Sequence, residues 1–328
     1  MNRIKRALYN SSVSRFRFHI QWLAFVLLVY GGYLAINIGD QLPTFACVFT
    51  DYRGGSCYLM GFQHQMALPF DRLFSGRGIG VLTGLMTFFL FFILLNKAWC
   101  GFVCPLGTIQ DWLSGLRKKM SVRYSTYSRS SFRKIGKIKY IFLTLLILIP
   151  MAINNSLFGL PKLNHDFAVP FCMICPGRTL LPIFQGDFSQ LAIDFSSKTK
   201  MILTALGMAI TGMFLAGSLY KKRFICLFCP MSAFHYIFAK AALLRINKDG
   251  SKCTRCGNCY RVCDVGIHDI ADDLDNKNIL KDDCMMCFKC VEMCPENDCL
   301  EVKFLGLPVY KATEEGFFTR MGRRGHGK

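Results

Sequence analysis

Seventeen cysteines stand in a chain of 328 residues, and two runs of them share one spacing. CTRCGNCYRVCD (253–264) and CMMCFKCVEMCP (284–295) both read C-x2-C-x2-C-x3-C. With this spacing three thiolates wrap one cube of iron and sulfide, and the fourth is carried past it to ligate the other cube. The pattern therefore assigns Cys253, Cys256, Cys259 and Cys294 to one 4Fe–4S cluster, and Cys284, Cys287, Cys290 and Cys263 to a second. Paired zinc knuckles also use C-x2-C units, but zinc takes four ligands per site and gives no reason for a crossed eight-cysteine array. The second run ends in Cys294-Pro295 and the first in Cys263-Asp264, a difference of turn rather than of ligand count. Cys299 is left over, as a packed thiol.

Four more cysteines, Cys100, Cys104, Cys226 and Cys229, lie in WCGFVCPLGTIQDWL and FICLFCPMSAFHYIF. Each Cys-Pro opens an amphipathic stretch, with Leu106, Ile109, Trp112, Leu113 and Leu116 on one face of the first. Phe234, Ile237, Phe238 and Ala241 do the same in the second. Proline is favoured at the first helical position, so Cys104 and Cys229 are expected at helix N-caps, where the dipole stabilises a thiolate. The two pairs together make a candidate four-thiolate metal or cluster site; unpaired thiols on interfacial helices are the plainer reading. The last four are Cys47 and Cys57, which bracket VFTDYRGGS, and Cys172 and Cys175 in PFCMICPGR. In an oxidising compartment, two disulfides or dithiol pairs are the economical expectation. A second metal or cluster site mirroring the first is the alternative.

The elements that must carry these cysteines are apolar. The chain is 52% hydrophobic and 19% charged, yet its formal net charge is +19. Apolar spans with Lys and Arg gathered on one side of a bilayer reconcile the two figures; disorder and a small disulfide-stapled fold are excluded. Stretches at about 18–38, 79–96, 138–156 and 201–220 approach the ~20 helical residues that cross a bilayer core. Lys and Arg crowd the segment before the first span, the loop between the second and third, and Lys221-Lys222-Arg223 after the fourth. Both termini are thus expected in the cytoplasm of a bacterial inner-membrane, multi-pass protein, with Cys47, Cys57, Cys172 and Cys175 on the outer face.

The spans form two copies of one unit: a span, an outer loop with two cysteines, a second span and an inner Cys-Pro helix. The expected fold is membrane α-helical, four transmembrane helices in a two-fold repeat over 1–245. A small α+β two-cluster domain follows over 246–306, then a basic, flexible tail over 307–328. Gly76, Gly78, Gly80 and Gly84 open a span with no preceding strand, so they read as helix-packing residues rather than a dinucleotide loop. His19 and His235 lie near the inner face as interfacial hydrogen-bonding or quinol-contacting groups. Nucleic acid drops out as a partner, because the excess charge is a topology signal.

Together these motifs resemble the NapH-type quinol dehydrogenase components and the membrane core of NosR-type proteins. In that family C-x3-C-P recurs twice. Cys100–Cys104 matches it, Cys226–Cys229 is one residue shorter, and the FCMICP element lies outside the pattern. The resemblance implies membrane electron transfer between the quinone pool or a cytoplasmic donor and a periplasmic reductase or cytochrome, or another membrane electron carrier. It implies two 4Fe–4S clusters, with quinone and an additional membrane-face metal or cluster as further cofactors. Two other classes stay open: a maturation factor that handles copper or reduces thiols, with soft ligands suited to Cu(I), and a cluster-based redox sensor.

Overall fold

The computed structural model describes residues 9–38, 44–69, 76–123, 125–155, 167, 169–239, 241–281 and 283–325. Helix α1 (Val13–Tyr30) starts at Ser12, whose hydroxyl accepts from the Arg15 amide. It stops at Gly31-Gly32, short of the expected span over 18–38. These glycines pass so close to Gly54 and Tyr52 that a Cβ on either would meet backbone at 2.5 and 2.9 Å. After α1 come α2 (Tyr58–Met66), α3 (Gly76–Leu95), a short helix Ala98–Phe102, and α4 (Pro105–Lys119). An amphipathic helix Arg129–Gly136 leads into the second series: α5 (Ile138–Asn154), α6 (Pro170–Ile174), α7 (Pro176–Ile183), α8 (Lys198–Tyr220) and α9 (Pro230–Phe238). Among the described residues two helices, Arg129–Asn154 and Lys198–Tyr220, are long and apolar enough to cross a membrane. They correspond to the third and fourth of the four expected spans.

The two series interlock. Helix α2 packs on α5, and α9 on both α5 and α3. In the matching positions α4 packs on α8 and α1, while α7 reaches α1 through Phe184 against Phe25 and Gln185 to the Val29 carbonyl, 2.5 Å. Two apolar cores result. One joins Phe62, Phe88, Phe92, Leu146 and Phe234; the other joins Phe25, Ile109, Leu181 and Phe214. Each core takes helices from both series, so burial of apolar surface welds the two halves together.

The segments between the long helices do not stay outside them. Gly207 lies nine residues into α8, about 14 Å along a helix of about 34 Å. There the Met173 carbonyl sits 2.5 Å from where a Cβ would stand. One helical turn further on, Thr211 meets Thr179 of α7 at 3.5 Å. The α6–α7 hairpin therefore folds back to mid-length of α8. Helix α2 likewise reaches the second half of α3, where Tyr58 stacks on Phe88 with ring centroids 3.6 Å apart.

A three-stranded antiparallel sheet follows, β1 (Leu244–Lys248), β2 (Leu300–Phe304) and β3 (Leu307–Lys311), in the order β1-β2-β3. The cysteine runs lie between β1 and β2, so the strand pair closes a loop that contains both. Of the tail expected to be flexible over 307–328, the described residues 307–325 include a strand and a helix. Residues 307–311 form the sheet edge, Tyr310 and Ala312 are buried, and a helix runs over Glu314–Gly325. Buried Arg320 fixes that helix by donating to the carbonyls of Glu292 (2.5 Å) and Tyr9 (3.2 Å). Partners distant in sequence thus absorb a charge that composition alone assigns to solvent.

Candidate iron–sulfur centres

The two C-terminal runs fold alike. Arg255 and Met286, two residues after the first cysteine of each run, both have positive φ, as do Gly257 and Phe288 after the second cysteine. These left-handed residues curl each run around a cavity. Cys253, Cys256, Cys259 and Cys294 line one cavity, with Cys299 beside them. Cys263, Cys284, Cys287 and Cys290 line the other. The crossed sets expected from spacing thus line two separate cavities, one set each. Among the described residues no group of three or more His, Cys, Asp or Glu is gathered tightly enough to hold a single metal ion. Burial pushes the thiols of Cys263 and Cys284 up to about 11 and 12, so their thiolates need the positive charge that bound iron supplies. The Ile267 amide donates to the Cys263 sulfur, 3.5 Å, the kind of contact that tunes a cluster potential.

Cys299 is not a distant spare. It is buried, lines the first cavity, and donates to the Asp249 carbonyl at 3.6 Å.

The unit is pinned to the helices by buried charge. Asp264, which follows Cys263, accepts from Lys289 (2.5 Å) and Arg17 (3.1 Å) and pairs with Lys222 (3.6 Å). Arg17 also donates to Asp111 at 2.6 Å, and Arg223 donates to both carboxylate oxygens of Asp111 at 3.1 and 2.5 Å. Arg17 and Arg223 further hold the carbonyls of Gly101 (2.8 Å) and Cys100 (3.3 Å). A second buried pair, Lys139 to Asp283 at 2.6 Å, sits next to Cys284. Gly101 lies against the Met285 carbonyl, 2.5 Å from its would-be Cβ, and Cys100 packs on the apolar core of the C-terminal unit.

Cys100, Cys104, Cys226 and Cys229 converge behind this contact and interact electrostatically with one another. Cys104 and Cys229 are the N-caps of α4 and α9, each with proline at the first helical position, as the Cys-Pro reading expects. Gln110, wholly buried, accepts from the Ile225 amide at 3.2 Å and donates to the Cys226 sulfur at 3.8 Å. Sequence reasoning missed Arg17, Gln110, Asp111 and Arg223; the available signal was a polar residue on a face otherwise apolar, as Gln110 is beside Ile109.

Cys47, Cys57, Cys172 and Cys175 also lie near enough to one another for each to disfavour its neighbours' ionisation. No disulfide joins any of the seventeen cysteines, all of which are among the described residues. His19 lines a cleft of about 270 Å³ with Ser14, Phe18, Glu292 and Arg320. His235 is buried against Phe92, ring centroids 3.6 Å apart, with neither ring nitrogen hydrogen-bonded among the described side-chain contacts.

Comparison with known proteins follows the same partition. A family described as a 4Fe-4S binding domain matches residues 78–123 and again 203–248, once in each helical series. A 4Fe-4S dicluster domain matches residues 245–295. The chain is 27% identical to the ferredoxin-type protein NapH of Haemophilus influenzae over 66% of this chain and 66% of NapH. It is 24% identical to YccM of Escherichia coli, named as an electron transport protein, over 64% of this chain and 52% of YccM. With the regulatory protein NosR of Pseudomonas aeruginosa it shares 24% identity over 85% of this chain and 34% of NosR. The matched region thus spans between about a third and two thirds of these relatives. No solved structure matches the chain. Two matches to a 4Fe-4S binding domain, one to a 4Fe-4S dicluster domain, and likeness to ferredoxin-type and electron transport proteins make the chain similar to NapH/NosR-type 4Fe–4S ferredoxin-like proteins.

Proposed function

We propose that the protein is a membrane-embedded electron carrier linking the quinol pool or a cytoplasmic donor to a redox partner across the bacterial inner membrane. Its termini and its C-terminal unit lie in the cytoplasm, in keeping with the crowding of Lys and Arg before α1, between α3 and α5, and after α8. Cys253, Cys256, Cys259 and Cys294 hold one 4Fe–4S cluster; Cys284, Cys287, Cys290 and Cys263 hold the second; Cys100, Cys104, Cys226 and Cys229 hold a third. When bound, such clusters supply one-electron carriers. The carrying observation is the order of the sites. Met285 and Cys287, which line the second cavity, lie against Gly101, the residue that follows Cys100.

What the chain's own residues do is hold that order. Asp264 and Asp111 gather Arg17, Arg223 and Lys289, so the C-terminal unit cannot shift against the Cys-Pro loops without breaking buried ion pairs. Quinol oxidation also needs a group to take up protons. The cleft that places His19 and Glu292 beside Phe18 has such groups at the cytoplasmic end of α1. Glu292 stands two residues from both Cys290 and Cys294.

The test is iron and labile sulfide per chain in anaerobically purified full-length protein, set beside a Cys100→Ser/Cys104→Ser variant, with reduction by a short-chain quinol followed by EPR. The variant should lose about four irons and four sulfides and keep the signals of the C-terminal pair. Equal iron in the two proteins would remove the third site, and wild-type signals indifferent to quinol would remove the quinol link.

A further inference from the structure

We propose that Cys47, Cys57, Cys172 and Cys175 hold a further 4Fe–4S cluster, set deeper among the helices than the inner quartet and exchanging electrons with it. No matched domain includes these four residues. The proposal rests on the electron-transfer reading for its role, and on the geometry of the four thiols for its existence.

The first argument is that this quartet repeats the construction of the inner one. Cys175 is the N-cap of α7 with Pro176 at the first helical position, as Cys104 is for α4 and Cys229 for α9. Cys57 is the N-cap of α2. Each quartet therefore has two of its cysteines at helix N-caps, a position that favours negative charge.

The second argument is a pair of buried glutamines. Gln63 accepts from the Phe171 amide at 3.1 Å and donates to the Cys172 sulfur at 3.1 Å. Gln110 makes the same two contacts to Ile225 and Cys226. In both cases the side chain clamps the residue before a C-x2-C-P unit and hydrogen-bonds its first sulfur, and both glutamines are 0% exposed. An amide buried to hold the orientation of a sulfur is what an outer-sphere contact to a metal ligand does. A disulfide gains little from it.

The third argument is position. The disulfide expectation assumed loops bathed in an oxidising compartment. Cys172 is 6% exposed, and its hairpin reaches the middle of α8. The two quartets are neighbours: Cys175 interacts electrostatically with Cys104 and with Cys229. Gly177 lies between the Cys175 sulfur and Leu106 of α4, 3.5 and 3.8 Å from its would-be Cβ. Each transfer moves one electron from a reduced cluster at one quartet to an oxidised cluster at the other. No bond is made and no proton moves.

The experiment counts iron and labile sulfide, with EPR and Mössbauer spectra, in anaerobically purified full-length wild type, Cys57→Ser/Cys175→Ser and Cys100→Ser/Cys104→Ser. About sixteen irons and sixteen sulfides per chain are expected in the wild type. Each double variant should lose about four of each, and the two should lose spectroscopically different species. About twelve irons in the wild type, unchanged in Cys57→Ser/Cys175→Ser, overturns this proposal and leaves the three-cluster reading intact. About eight irons in the wild type overturns both. A Gln63→Leu variant covers poor accumulation of the cysteine variants. It should retain all its iron while one midpoint potential falls, because a hydrogen bond to a ligand sulfur is lost; unchanged potentials count against the site. Alkylation under anaerobic, non-reducing conditions provides the remaining check. A Cys47–Cys57 or Cys172–Cys175 disulfide in iron-replete protein overturns the proposal.

Discussion

Asp264 stands where the second cysteine run carries Pro295, and the exchange has a structural use. A proline there could accept no cation; the aspartate gathers Lys289, Arg17 and Lys222. Burial works against its ionisation, but these three cations outweigh it and hold the carboxyl well below the usual carboxylate range. Removing one member of a buried ion-pair network leaves its partners charged and unpaired, a cost of about 3–5 kcal/mol. Asp264→Ala should therefore lower the denaturant midpoint at which the visible iron–sulfur absorbance of the C-terminal unit bleaches, at unchanged iron content. An unaltered midpoint would show that the network does not bind the unit to the helices. Spacing alone reads this residue as a turn variant, because its partners lie 247 and 25 positions away in the chain.

At the scale of elements, the contact between the short helix Ala98–Phe102 and the Cys284–Cys287 loop sets how closely two sites approach. Gly101 is required there, since a side chain would collide with the Met285 carbonyl. Gly101→Val should keep the iron of both sites but slow electron exchange between them, seen as delayed reoxidation of the C-terminal signals in freeze-quench EPR. Wild-type kinetics in that variant would mean the loops are not on the electron path. The parts of the site legible from sequence are those whose geometry is local: the C-x2-C-x2-C-x3-C loops and the Cys-Pro caps, where covalent spacing and helix-start chemistry decide the outcome. The folded-back α2 and α6–α7 segments were not legible. Hydropathy reports whether a window can cross a bilayer, and it treats any break between two such windows as lying outside. Gln63 and Gln110 were hidden for a related reason, since their partners are 108 or more residues away in sequence. The early end of α1 was set by the tertiary approach of Gly54, which no local propensity encodes.

The whole molecule is two interlocked halves around shared cysteines. One apolar core takes α2 and α3 with α5 and α9, and the other takes α1 and α4 with α7 and α8. A chain cut in the loop between α4 and the helix Arg129–Gly136 should therefore give two fragments that need each other. Expressed alone, neither should hold iron at the inner quartet; expressed together, they should recover it, as measured by iron content of the co-purified pair. Iron retained by the first fragment alone would contradict the shared-site geometry. The inner quartet draws Cys100 and Cys104 from one series and Cys226 and Cys229 from the other, and the deeper quartet is divided in the same way. That division bears on ancestry. A single ancestral copy of the unit could complete neither set of ligands by itself, but two identical copies meeting about a two-fold axis would complete both at once. Gene duplication and fusion would then have preserved a ligand arrangement already present in a homodimer, freeing each half to diverge, as the shorter Cys226–Cys229 spacing has.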